Sequence, residues 1–197
     1  MERQALHDTA AYYPYLQGLW AIPLGLTIMV AGMTNLQAAP SGLALLGLAG
    51  GGLLLAAAAA GLIARHYRNT HGRVTPTTSR RARYGAAVIA WVGVLFVASN
   101  HALWSPSPSI SLFTSAFALA TLAFYAILVG IRPHHAILWG AIFAAGLLPI
   151  WGGLGADRDA LAMFPLGGAL VVTGLLDQRL LARDLRGVRP VLEPAGD

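Results

Sequence analysis

Residues 42–73 read GLALLGLAGGGLLLAAAAAGLIARHYRNTHGR, an uncharged apolar run that breaks off at Arg65 into a series of arginines. A helix needs roughly 20 mostly apolar residues to cross a bilayer, and residues 42–64 supply them without one charge. The stretch is read as a membrane span, and the arginines behind it as marking one face of that membrane.

Working outward, the same alternation divides the chain into six spans near 16–36, 42–64, 85–104, 110–131, 136–155 and 160–177. Composition agrees. Charged residues make up 11% of the 197, against about 25% in an ordinary soluble domain, and mean hydropathy is +0.62. The expected fold is all-α, a compact polytopic bundle of six transmembrane helices in residues 16–177, between a leader (1–15) and an amphipathic extension and tail (178–197). The leader carries little net positive charge and Pro40 follows Ala38 and Ala39, a poor cleavage context, so span one is read as retained. Pro40-Ser41, the run 105–109 and Arg132-Pro133 stop helix propagation, so neighbouring spans should form antiparallel hairpins. Tyr12, Tyr13, Tyr15, Trp20, Trp104 and Trp151 fall near span ends, where amphipathic rings anchor at the headgroups.

Every basic residue is arginine, and their distribution sets the orientation. The connections after spans one, three and five hold Arg158 alone, between Asp157 and Asp159. The remainder sit in the leader (Arg3), after span two (Arg65, Arg68, Arg73, Arg80, Arg81 and Arg83), after span four (Arg132) and in the tail (Arg179, Arg183, Arg186 and Arg189). Cytoplasmic loops are enriched in such residues, which puts both termini in the cytoplasm. The formal charge of +5 comes without an aromatic-and-basic nucleic-acid module, so anionic lipid headgroups are the expected counter-charge, and no nucleic acid is expected as partner. Lysine is absent while Ala, Gly and Arg abound, the mark of a GC-rich coding sequence, and a bacterial plasma membrane is expected.

Spans one, five and six contain Pro23, Pro149 and Pro165 beside glycines, and broken helices of this kind can line a solute cavity. Pro23-Leu24-Gly25 recurs as Pro165-Leu166-Gly167 on a helix of opposite direction, a match too short to claim an inverted repeat. Span two, with Gly47, Gly50, Gly51, Gly52 and Ala56 to Ala60, is slim enough to be the central helix of the bundle, or to supply a homo-oligomer face through Gly47-x-x-x-Gly51. Ionisable groups at membrane depth are few: His101 beside Asn100 forms a possible polar site, and Asp177 is expected at the interface near Arg179 or water.

His66, His71, His134 and His135 fall on the arginine-bearing side. Adjacent His134 and His135 cannot share one helix face, and nearby arginines repel a cation, so no metal or haem is expected. The chain has no cysteine, its glutamates are confined to Glu2 and Glu193, and it shows no nucleophile elbow, zinc helix or P-loop. No catalytic residue and no cofactor is expected. Beyond span six, Arg179, Arg183 and Arg186 form one helical stripe opposite Leu181, Leu185 and Val188, and Pro190 is expected to end the helix. This stripe and residues 65–83 are the expected lipid or protein-partner contacts. The functional expectation is a non-enzymatic scaffold, sensor or regulatory membrane subunit, with a small permease or channel for a neutral or weakly charged solute as the alternative.

Overall fold

A computed structural model describes residues 18–39, 41–71, 78–104, 109–128 and 130–192. The described residues form six α-helices and no strand: α1 Ala21–Asn35, α2 Leu43–His71, α3 Thr78–Trp104, α4 Leu112–Leu128, α5 Pro133–Leu147 and α6 Arg158–Leu192. Short 3-10 turns, Gly18–Trp20 and Gly152–Asp157, lead into α1 and α6. Three helical stretches are long and apolar enough to cross a membrane: Gly18–Asn35, Leu43–Asn69 and Arg158–Arg183. Ala82–Ala98 and Leu112–Leu128 are shorter apolar helices.

Local chemistry explains where the helices stop. Proline disfavours helical backbone in the residue before it, and Leu148, ahead of Pro149, is extended at φ −70° and ψ 143°. Span five therefore closes at Leu147 rather than 155, and α5 is about 22 Å long at ~1.5 Å per residue. Pro133 opens the same helix, where its missing amide would have had no partner. Gly130 makes the turn between α4 and α5 at φ +88°, and its amide donates to the Tyr125 carbonyl at 2.8 Å. At the other end of the chain α6 runs past Pro190 to Leu192.

The central pair is α1 against α6, not α2. Gly18, Gly25 and Gly32 recur every two turns along α1 and its leading turn, opposite Gly174, Gly167 and Ala160 on α6 running the other way. A Cβ on Gly25 would strike the Gly167 carbonyl oxygen, and a Cβ on Gly167 would strike that of Gly25. The repeated Pro-Leu-Gly is thus a crossing point at which two backbones touch. Neither helix breaks there. Pro23 lies in the first turn of α1, where its amide is not missed, and Pro165 sits on the exposed side of α6.

The expectation that α2 is central is corrected: none of its apolar stretch is buried, and Gly47, Gly50 and Gly51 face open space, with only Gly52 seated against Val30. Small residues permit close approach but offer little area of their own. The core instead gathers Phe117, Ala118 and Tyr125 of α4, Trp139 of α5, and Leu166, Ala169 and Leu170 of α6. Trp91 of α3 lies edge-on to Phe117 at 5.2 Å and donates from Nε1 to Thr121 at 3.1 Å.

Hydrogen bonds sort the connections into two ends. At one, the Gln37 amide donates to Asp157 at 2.6 Å, the Trp151 amide to the Ser109 carbonyl at 3.3 Å, and the Trp151 indole to the Ala145 carbonyl at 2.8 Å. Trp151, expected as an interfacial anchor, is buried as a pin in this end. At the other, Tyr67 donates to Gln178 and packs on Leu181, while Tyr84 meets Phe124 edge-on at 5.9 Å. The arginine-poor connections thus share one end of the molecule, and the arginine-bearing ends of α2 and α6 meet at the opposite one.

Candidate functional site

The polar centre of the molecule lies at the arginine-bearing end, where the first turn of α5 meets α6. His134 Nε2 is 3.0 Å from Asp177 Oδ1, and His135 Nε2 is 3.0 Å from Oδ1 and 3.2 Å from Oδ2 of the same carboxylate. His135 is fully buried and Asp177 is 2% exposed. Tyr125 stacks on the His135 ring, centroids 3.9 Å apart and planes 23° from parallel. Asp177 therefore does not pair with Arg179 at the interface: residues two apart on a helix face different ways, and Arg179 is exposed. The two histidines, expected to diverge, converge because they sit in the opening turn, where two long rings can reach across the helix end to one acceptor.

The backbone of α5 selects the tautomer. The Arg132 amide donates to His135 Nδ1 at 3.4 Å, so the proton of a neutral ring resides on Nε2 and is donated to Asp177. The three side chains bring their ligand atoms within 4.8 Å of one another, close enough to share one metal ion. A metal would need the Nε2 lone pair that the Arg132 contact converts into a donor, so the arrangement suits an imidazole–carboxylate network better than a metal centre. One turn further into the bundle from His135 and Asp177, Trp139 Nε1 and Thr173 Oγ1 are buried without a hydrogen-bond partner among the described residues.

A cleft of about 500 Å³, half open to the surroundings, runs from this network between α1 and α3, with α4 and α6 as its floor. Its lining is mostly apolar and includes five aromatic side chains, Trp20, Tyr84, Trp91, Phe124 and Tyr125. Among the described residues that line it, Asp177 is the one with a formal charge. Pro23, Pro149 and Pro165 do not line this cleft; Pro23 is buried elsewhere in the fold, and the other two are exposed.

Of the remaining expected site residues, Arg65, Arg68, Arg83, Arg179 and Arg183 are exposed. Arg73 lies outside the described residues, as do the side chains of Arg80, Arg81, Arg186 and His101. Asn100 donates to the Phe96 carbonyl of its own helix at 2.9 Å. His66 is exposed on α2, 5.7 Å edge-on to Tyr67, and is not part of the Asp177 cluster. The signal that could have revealed the site is depth: His134, His135 and Asp177 all fall at the arginine-bearing ends of adjacent apolar stretches. Comparison with known protein families, curated proteins and solved structures finds no match to this chain.

Proposed function

We propose that this chain is a six-span, non-enzymatic protein of a bacterial plasma membrane, with both termini in the cytoplasm. Its role is that of a sensor or regulatory membrane subunit that receives a small, largely apolar molecule in the cleft between α1 and α3. The observation that carries this reading is the cleft itself: aromatic, open on one side, and closed at its inner end by a buried Asp177 held by two histidines. Pockets of a few hundred Å³ with an apolar wall and few convergent polar groups are the usual form of small-molecule sites, and an ionisable residue at membrane depth points to function. The permease alternative rested on proline breaks, and those helices are continuous or lie away from the cleft.

Receipt of the ligand would be read at the arginine-bearing end, because Asp177 and Gln178 are neighbours on α6 and Gln178 is tied to Tyr67 of α2. Exposed Arg65, Arg68, Arg179 and Arg183 there suit anionic lipid or an acidic protein surface, at about 1 kcal/mol for each basic residue near the leaflet. Native mass spectrometry after mild detergent extraction tests the cleft. A small molecule should be retained by the wild-type chain and lost from Leu24→Trp, which fills the cleft; retention by both, or by neither, contradicts the reading.

A further inference from the structure

We propose that the molecule taken by the cleft is a lipophilic organic cation, a substituted ammonium carried on an apolar body; this rests on the cleft being a ligand site. The inference starts from the charge balance of its inner end. Among the described side chains, the partners of Asp177 are the two imidazoles, and the tautomer set by Arg132 makes His135 a neutral donor. A neutral N–H donor such as His135 solvates a carboxylate without cancelling its charge. A carboxylate held from water in an apolar site is costly unless a cation completes it.

The carboxylate also lines the cleft. A carboxylate offers about four lone-pair positions; Oδ1 accepts from both histidines and Oδ2 from His135 alone. Oδ2 is thus the less engaged oxygen, and the charge of the carboxylate is what a cation in the cleft would meet. Above it the wall is aromatic, with Trp20, Tyr84, Trp91, Phe124 and Tyr125 among the lining residues. Aromatic rings attract a cation electrostatically while accommodating its apolar substituents, and this combination of rings with a single carboxylate is the chemistry of ammonium recognition. An anionic or purely acceptor headgroup would instead be repelled by Asp177.

Two probes of equal shape decide the matter: benzyltrimethylammonium and its uncharged carbon isostere neopentylbenzene, measured by equilibrium dialysis against the full chain in an uncharged detergent. The ammonium should bind about tenfold or more tightly than the isostere, and Asp177→Asn should remove that preference while leaving the isostere unchanged. Leu24→Trp, which leaves the Asp177 network intact, should abolish binding of both and serves as the control if Asp177→Asn does not fold. Equal binding of the two probes by the wild-type chain overturns the cation assignment and leaves the cleft as a site for neutral molecules. Binding of neither probe, or binding that survives Leu24→Trp, removes both the assignment and the cleft reading.

Discussion

Asp177 is a carboxylate held away from water, and that makes its imidazole partners obligatory. Removing one side of a buried, hydrogen-bonded charge leaves the other groups without solvent or partner, a loss of several kcal/mol. Asp177→Ala should therefore lower stability by about 3 kcal/mol, seen as a clear fall in thermal unfolding temperature in detergent; an unchanged temperature would mean the network bears no weight. Thr173, one turn away, predicts the opposite sign. Its buried hydroxyl has no partner among the described residues, so Thr173→Val keeps the shape and removes a polar group, and should raise stability by about 1 kcal/mol. A loss would reveal a bound water there. The residue types of this site were visible in the sequence, but their meeting was not: helical periodicity separates adjacent histidines, and only the opening turn after Pro133 lets His134 and His135 reach one carboxylate.

Among elements, the contact between α1 and α6 organises the molecule through backbone-to-backbone approach at Gly18, Gly25 and Gly32. Gly25→Val would place methyl groups where the Gly167 carbonyl lies and should cost about 3 kcal/mol, whereas Gly47→Leu on the exposed face of α2 should be nearly neutral in the same thermal assay. Equal losses would contradict the peripheral position of α2. That the described residues are all helical, in six helices, followed from hydropathy and proline placement. The choice of central helix did not, because counting small residues in α2 ignores their spacing. Glycines two turns apart on α1, matched by small residues two turns apart on α6, were present in the sequence as the stronger signal, and the shared Pro-Leu-Gly was one link of that chain.

For the whole molecule, the connections after α1, α3 and α5 gather at one end through Gln37, Asp157, Ser109 and Trp151, and the arginine-bearing ends of α2 and α6 gather at the other. The proposed topology, six crossings with both termini in the cytoplasm, rests on this division together with the positive-inside bias. In the proposed orientation the Asp177 cleft would fall in the cytoplasmic half, within reach of a ligand dissolved in the inner leaflet. The chain has no native cysteine, so single introduced thiols report sidedness without background. In intact cells treated with a membrane-impermeant maleimide, Gln37→Cys, Ser109→Cys and Leu154→Cys should label, while Arg68→Cys, Ile131→Cys and Arg179→Cys should label only after permeabilisation. Labelling of the second group from outside, or protection of Ser109→Cys together with Ile131→Cys, would contradict the six-span topology from which the functional reading follows.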